Sequence, residues 1–193
     1  ANNSYDRIRY QDKLSGAYLI TGITERKNIG GINQNFNSSI ILKPDGSFDT
    51  YQKIFLVPFA EYVPFFRNWI TKMNQFDDIG SFYPGSEYKT FNIDDFKASI
   101  LICYDSSSPQ IVEKMVDNGA EIIFIITNDS YVGQFMPYQH FQLARLRAVE
   151  QRVPIIQSAN TGISGIILPS GKIIYRSKLN ERIVFTMEVP LYE

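Results

Sequence analysis

The sequence has 193 residues, 44% hydrophobic and 20% charged, with a formal net charge of −1. This composition is typical of one globular unit, so residues 1–193 are predicted to form a single domain. The near-neutral charge excludes nucleic acid as an expected partner. A single cysteine and a single histidine exclude an internal disulfide and any metal centre built from several such residues.

The chain also lacks obvious targeting features. No apolar run approaches the roughly 18 residues that a membrane-spanning helix needs. The segment that starts at Ala1 has neither the basic start nor the apolar core of a signal peptide. Since it also lacks an initiator methionine, we expect the sequence to be a piece of a longer protein.

The first half of the chain is predicted to be mainly β-structure, although residues 1–15 fit either a helix or a loop. A polar stretch with Gly30-Gly31 predicts a loop, and Lys43-Pro-Asp-Gly46 predicts a hairpin turn in which glycine supplies a positive φ. The predicted strands of this half are 17–23, 37–42 and 48–55, and the predicted loop is 25–34.

An apolar loop and a short helix are predicted next. Two prolines interrupt Leu56–Pro64, which therefore cannot be a regular central strand. Apolar side chains at helical spacing over 65–76 indicate a short amphipathic helix.

The second half begins with a predicted βαβ unit, whose two strands should run parallel. Residues 98–103 form its first strand, 110–118 its helix, closed by Gly119, and 121–127 its second strand. The loop after Thr127 should therefore lie at the same sheet edge as Cys103.

A well-buried helix is predicted over 138–152. Further strands are predicted at 154–159, 164–168, 172–175 and 183–189, with a turn at 169–171. The order predicts an α/β fold whose sheet has helices on one face and a second sheet or a partner on the other.

Cys103 is the first candidate for chemistry. It ends an apolar strand and precedes a predicted helix start, an arrangement that would favour a thiolate through the helix dipole. The alternative is that the thiol is simply part of the core. His140, within the buried helix, is interpreted as a structural, hydrogen-bonded histidine. We find no phosphate loop, dinucleotide fingerprint or metal cluster, so no cofactor or metal is expected.

Lys53 and Glu61 form a second candidate group. Lys53 follows a strand and could stabilise both a thiolate and an oxyanion, or it could be an ordinary edge lysine. Glu61 lies among apolar residues, where a carboxylate needs a cationic partner or a raised pKa, unless it points to solvent. Lys53 is the expected partner.

Four motifs in order resemble the nitrilase, or carbon–nitrogen hydrolase, superfamily, and within it the bacterial apolipoprotein N-acyltransferases. They are listed here in chain order: Lys53-Ile-Phe-Leu-Val-Pro-Phe-Ala-Glu-Tyr-Val-Pro64, Ile102-Cys-Tyr-Asp105, Thr127-Asn-Asp-Ser-Tyr-Val-Gly133 with the helix through Glu150, and Asn160-Thr-Gly-Ile-Ser164. The first is the most specific for the acyltransferase branch. The resemblance covers the chain from about Gly16 onward.

The resemblance implies a nitrilase-like α-β-β-α sandwich, incomplete at its N-terminus because the first strand and helix are absent. It implies Cys103 as nucleophile, Lys53 as the carbonyl-polarising lysine and Glu61 as the second glutamate. The N–H of Tyr104 would help to hold the oxyanion, and Tyr131 would belong to the binding site. The implied reaction moves a phospholipid acyl group to the thiol and then to the N-terminal amine of a lipid-modified cysteine on an apolipoprotein, at the periplasmic face of the bacterial inner membrane.

The sequence departs from the family pattern at several points. No Pro-Glu segment carrying the catalytic glutamate precedes Lys53, and the family's membrane helices are missing, so we expect a fragment of the domain that is inactive alone. Asp105 stands where a glutamate is usual, and Tyr131 where a tryptophan is usual. Two alternatives stay open: a soluble amidase or nitrilase acting on a small amide, and an inactive nitrilase-like binding module.

Overall fold

Two β-sheets form the centre of the protein in the computed structural model, which describes residues 16–62, 82–131, 133 and 135–191. The first is an antiparallel sheet of three strands in the order β1-β2-β3. Its strands are β1 (Leu19–Ile29), β2 (Ile32–Leu42) and β3 (Phe48–Gln52). The predicted turn at Gly46 is present, since its N–H donates to the carbonyl of Lys43 and its φ is 83°.

The second sheet has six strands in sequence order, and its three central strands run parallel. The parallel pairing of the strands on either side of the first crossover confirms the predicted βαβ unit. The strands are β4 (Phe91–Ile93), β5 (Phe96–Ile102), β6 (Ile122–Thr127), β7 (Ile155–Ala159), β8 (Gly165–Ile167) and β9 (Ile173–Arg176).

Two α-helices and two short 3₁₀ segments connect the strands of the second sheet. Helix α1 spans Pro109–Asp117 and helix α2 spans Met136–Gln151. The 3₁₀ segments are Cys103–Ser107 and Asp129–Tyr131. No helix in the described ranges is long and apolar enough to cross a membrane.

One continuous core joins three layers of the predicted sandwich. Ile41 and Tyr51 of the first sheet pack with Ile100 and Ile125 of the second, and Met115 of α1 belongs to the same buried cluster. Burying such side chains contributes about 1.5–3 kcal/mol each. The order helices, six-stranded sheet, three-stranded sheet confirms an α/β fold and agrees with the sandwich that the resemblance implies.

The predicted loop over 25–34 is wrong, because β1 and β2 pair along it without interruption as far as Ile29 and Ile32. Two strands can pair through their backbone hydrogen bonds without any apolar side chains. In this hairpin the side chains also form polar bonds between the strands, such as Arg26 Nε to Asn35 Oδ1 at 3.2 Å. Gly30 and Gly31 have φ of 60° and 84°, as a two-residue hairpin turn requires.

One further prediction is wrong, and another is wrong in part. No strand forms over 183–189. Ile183, Val184 and Met187 are exposed there, so these apolar side chains do not pack on the core as the strand prediction requires. The second helix is buried on one side only, since Leu146 and Val149 are each 47% exposed. The predicted helix over 65–76 lies outside the described residues.

Candidate active site

Cys103 sits at the carboxyl end of β5, where the chain turns into the 3₁₀ segment. Its φ is 49°, in the left-handed region that non-glycine residues rarely occupy. Strain of this kind costs about 1–3 kcal/mol and persists only where surrounding contacts hold it. The backbone therefore turns sharply at the thiol, and the side chain is only partly buried.

Lys53 directly follows β3 and is almost fully buried, with 1% of its side chain exposed. Its backbone is held on both sides, because its N–H donates to the carbonyl of Asn37 and its own carbonyl accepts from Gly85, each at 2.8 Å. The alternative of an ordinary edge lysine is therefore wrong. A buried ammonium group needs a partner of opposite charge.

Glu61 is that partner, with its Oε2 2.6 Å from Lys53 Nζ. The carboxylate also accepts from Asn37 Nδ2 at 2.6 Å and from the N–H of Val57 at 2.7 Å. These bonds confirm the predicted pairing and exclude the alternative in which Glu61 points to solvent. They also occupy both oxygens of the carboxylate.

Asp105 ties the lysine loop to the nucleophile segment. Its Oδ1 accepts from the N–H groups of Ile54 and Phe55 at 3.2 and 2.7 Å. Its Oδ2 accepts from Tyr51 Oη at 2.8 Å and from the N–H of Ile102 at 3.2 Å. Burial raises the pKa of Asp105 to about 6, although the hydrogen bonds oppose that shift. One carboxylate thus fixes the segment after Lys53 relative to the strand that carries Cys103.

The thiol of Cys103 is not stabilised as a thiolate. Burial raises its pKa above the ordinary value, and this effect outweighs the positive charge of Lys53 and a hydrogen bond with Thr127, both of which lower it. The expectation that a helix start would favour the thiolate is wrong, because α1 begins only at Pro109, six residues after the thiol. Within the described residues, Lys53 is the largest influence that lowers the pKa of Cys103.

The contacts of His140 confirm that it is a structural, hydrogen-bonded histidine. Its Nδ1 lies 3.1 Å from Asp129 Oδ1, and its Nε2 lies 2.9 Å from Ser106 Oγ and 3.0 Å from the carbonyl oxygen of Cys103. Cys103, Asp129 and His140 each offer one atom that could bind a metal ion, and these three atoms all lie within 4.8 Å of one another. Because both ring nitrogens already face protein oxygens, we assign the ring to hydrogen bonding.

The two predicted binding residues occupy the same end of the sheet. The ring of Tyr104 stacks on that of Phe55, with centroids 5.0 Å apart. Tyr131 ends the 3₁₀ segment that follows β6, so its backbone lies at the sheet edge where Cys103 lies. The prediction that the loop after Thr127 lies at the same sheet edge as Cys103 is confirmed, since β5 and β6 run parallel and Asp129 is linked through His140 to the carbonyl of Cys103.

Sequence reasoning missed Tyr51 and Ser106. Tyr51 is fully buried and donates to Asp105, while Ser106 is fully buried and donates to the carbonyl of Cys103 at 2.9 Å. The position of Asp105 could have indicated Tyr51. This carboxylate follows the predicted apolar strand by two residues, and a buried carboxylate needs hydrogen-bond donors.

Comparison with known proteins gives the same assignment as the motifs. The carbon–nitrogen hydrolase family model matches residues 4–193. Apolipoprotein N-acyltransferase 2 of Treponema denticola is 36% identical over 170 residues, which are 82% of this chain and 32% of the relative. The apolipoprotein N-acyltransferase of Geobacter metallireducens is 32% identical over 196 residues, 97% of this chain and 38% of the relative. The chain therefore spans about a third of the length of these relatives.

Solved structures share the fold at lower identity. Saccharomyces cerevisiae Nit3, a member of the nitrilase superfamily, superposes with a TM-score of 0.71 at 20% identity, covering 94% of this chain and 63% of that one. An amidase from Nesterenkonia AN1 of the same superfamily superposes with a TM-score of 0.67 at 19% identity, covering 91% and 62%. The fold, the buried lysine–glutamate pair beside a cysteine, and the family match lead to one conclusion: the chain belongs to the carbon–nitrogen hydrolase family.

Proposed function

We propose that this chain is the acyl-transferring domain of an apolipoprotein N-acyltransferase. The domain takes an acyl group from a phospholipid onto Cys103 and passes it to the N-terminal amine of a lipid-modified cysteine on an apolipoprotein. The observation that carries the proposal is the buried ion pair of Lys53 and Glu61, in which the charge of Lys53 lowers the pKa of Cys103. The name of these relatives supports acylation of an apolipoprotein at nitrogen, and the phospholipid donor is what the motif resemblance implies.

In the first step the sulfur of Cys103 attacks the ester carbonyl of the phospholipid. A carbon–sulfur bond forms, the carbonyl electrons move onto oxygen, and the thiol proton passes to a carboxylate base. When the tetrahedral intermediate collapses, the carbon–oxygen bond to glycerol breaks, and the lysophospholipid leaves with that proton. Lys53 and the N–H of Tyr104 would stabilise the oxyanion, an interaction that elsewhere is worth 10²–10³-fold in rate.

In the second step the amine of the acceptor attacks the thioester carbonyl. A carbon–nitrogen bond forms, the carbon–sulfur bond breaks, and the proton lost by the amine returns through the base to the sulfur. The product is an amide, and the thiol is regenerated. Because a thioester is more reactive toward amines than an ester, the covalent intermediate divides one difficult transfer into two easier ones.

The carboxylate base is proposed to come from a glutamate of the parent protein outside the described residues. Glu61 is engaged by Lys53, Asn37 and Val57, and Asp129 by His140 and Thr127. Donors thus occupy both oxygens of Glu61 and Oδ1 of Asp129, and we propose that neither carboxylate is the base. The 193-residue chain alone is accordingly expected to be inactive.

The surroundings of the site favour a lipid donor over a small amide. Phe55 is 41% exposed and Phe59 is 71% exposed, and both lie in the loop between Lys53 and Glu61. Exposed aromatic side chains beside a nucleophile suit an acyl chain or a membrane surface better than a small polar substrate. Attachment to the inner membrane, with this domain on the periplasmic side, would come from other parts of the parent protein.

Acyl transfer by the full-length parent protein tests the proposal. The protein is reconstituted in phospholipid vesicles with a peptide whose N-terminal cysteine carries a diacylglyceryl group, and N-acylated peptide is measured. We expect Cys103→Ala to abolish product, Lys53→Met to lower the rate at least 10²-fold, and Ser99→Ala to leave it unchanged. Ammonia release from small amides without any peptide acylation would instead identify an amidase.

A further inference from the structure

A chain of three buried side chains ends on the carbonyl of Cys103. Asp129 Oδ1 accepts from Thr127 Oγ1 at 2.7 Å and faces His140 Nδ1 at 3.1 Å. His140 Nε2 in turn lies 3.0 Å from the carbonyl oxygen of Cys103, and Ser106 Oγ donates to the same oxygen at 2.9 Å. Because the carbonyl oxygen of Cys103 can only accept, its contact with Nε2 is a hydrogen bond when Nε2 carries the proton.

The carbonyl that His140 and Ser106 hold belongs to a peptide unit with a proposed role in the reaction. The C=O of Cys103 and the N–H of Tyr104 share one planar peptide group and point in opposite directions. Fixing the carbonyl on the helix α2 side therefore directs the N–H of Tyr104 away from α2. That N–H lies in the first turn of the 3₁₀ segment, where no carbonyl of the segment accepts from it.

We propose that His140, supported by Asp129 and acting together with Ser106, is a positioning residue that orients the Cys103–Tyr104 peptide so that the Tyr104 N–H faces the substrate oxyanion. This inference rests on the proposed function, which assigns that N–H to the oxyanion. The left-handed φ of Cys103, 49°, makes such support necessary, because the strained backbone would otherwise relax. Donors on the carbonyl also polarise the peptide and strengthen its N–H as a donor.

The order Ser106, His140, Asp129 has the connectivity of a serine hydrolase triad, but the serine is not a nucleophile here. Ser106 is 0% exposed, and its hydroxyl donates to the carbonyl of Cys103. An acyl donor cannot reach a side chain without accessible surface. The three residues therefore act on the backbone of the nucleophile and not on substrate.

Two reactions of Cys103 separate this role from a merely structural one. Acylation by p-nitrophenyl butyrate or by phospholipid vesicles develops an oxyanion, whereas alkylation by iodoacetamide does not. In the full-length parent protein, we expect His140→Phe to lower the acylation rate constant about 10²-fold without changing the half-saturating donor concentration. The alkylation rate should stay that of the wild type. His140→Gln, which keeps a donor near the carbonyl, should restore most of the acylation rate.

Two serine variants provide a matched control that does not depend on the histidine variant folding. Ser99 and Ser106 are both fully buried, and each donates to one backbone carbonyl, at 2.8 and 2.9 Å. Ser106→Ala should slow acylation and Ser99→Ala should not, although the two should lower the melting temperature similarly.

The proposal is overturned if Ser106→Ala acylates as fast as Ser99→Ala, if His140→Gln is as slow as His140→Phe, or if alkylation slows in step with acylation. Acylation of the wild type by the ester but not by phospholipid would reject the lipid donor while leaving the variant comparison to decide on His140. Failure of both donors to acylate Cys103 would overturn the inference and the proposed function together.

Discussion

Lys53 Nζ and Glu61 Oε2 lie 2.6 Å apart in a site where 1% of the lysine side chain and 14% of the glutamate side chain are exposed. A buried ion pair is a weak source of net stability, but removing one partner leaves an uncompensated charge. The pair therefore makes the loop from Lys53 to Glu61 depend on both charges. It also holds the ammonium group at the position from which it lowers the pKa of Cys103.

The first prediction concerns the coupling of this pair. Lys53→Met and Glu61→Gln should each lower the free energy of unfolding by about 3–5 kcal/mol, because each leaves the other charge buried without its partner. The double variant should be more stable than the sum of the two losses implies. Urea unfolding of the 193-residue chain, followed by circular dichroism, measures all three. Additive losses would show that the two charges do not interact.

The reactivity of Cys103 should depend on pH as that of a partly buried thiol with a raised pKa. Since burial raises its pKa above the usual value of about 9, alkylation by iodoacetamide should still accelerate above pH 9. Lys53→Met should move the profile to higher pH, because Lys53 lowers this pKa, and Glu61→Gln should move it to lower pH, because Glu61 raises it. Lys43→Met, at a lysine that is 32% exposed and paired with Asp49, is the control and should leave the profile unchanged. A wild-type midpoint below pH 8 would contradict the account.

Replacing Asp105 by asparagine, which has nearly the same shape, should destabilise the protein. All four of its hydrogen-bond partners are donors, so the amide of Asp105→Asn would place an N–H₂ group against N–H or O–H. We expect a loss of about 1–3 kcal/mol in the free energy of unfolding, measured with urea at pH 7. Asp95→Asn, at an exposed position, is the matched control and should change stability by less than about 0.5 kcal/mol.

The stability contribution of Asp105 should also fall with rising pH. Its pKa is about 6 in the folded protein and 3.8 for the unperturbed group, so folding favours the protonated form. The contribution is fully present below about pH 4 and is lost as pH rises through about 6, by roughly 3 kcal/mol. The difference in unfolding free energy between wild type and Asp105→Asn, measured from pH 4 to 7, should therefore shrink. A difference that grows with pH would refute the raised pKa.

Gly85 is predicted to be irreplaceable beside the lysine. A Cβ at this position would lie 2.3 Å from the carbonyl oxygen of Gln52, and the Gly85 N–H donates to the carbonyl of Lys53. Gly85→Ala should therefore cost about 1–3 kcal/mol of unfolding free energy through forced backbone movement. Gly22→Ala, whose Cβ would meet Ile126 at an ordinary 3.7 Å, should be near neutral in the same urea experiment. Equal losses in the two variants would mean that the close approach at Gly85 carries no cost.

The sequence predicted the parts of this protein that depend on local pattern. The apolar runs that became β5 and β6, the glycine turn at Gly46 and the partnership of Lys53 with Glu61 follow from periodicity and from the cost of burying a charge. The β1–β2 hairpin through Gly30 was missed, because backbone pairing leaves no apolar signature on an exposed ribbon. The raised pKa of Cys103 could not be foreseen, since it depends on how deeply neighbouring elements bury the thiol.

The site network was likewise beyond sequence reasoning. Ser106 and His140 are 34 residues apart along the chain, and only the packing of α2 on the segment after β5 brings them to 2.9 Å. Asp105 could be noted as a carboxylate near the nucleophile, but three of its four donors lie about 50 residues away, in residues 51–55. Tertiary contacts of this kind carry no mark in the local sequence.

The most direct test of the account is the detection of an acyl group on Cys103. The full-length parent protein is incubated with phospholipid vesicles without acceptor, quenched in acid, digested and examined by mass spectrometry. We expect one fatty acyl chain in thioester linkage on the peptide that contains Cys103, released by neutral hydroxylamine and absent from Cys103→Ala. An unmodified Cys103 peptide under conditions in which the protein transfers acyl groups to the acceptor would contradict it.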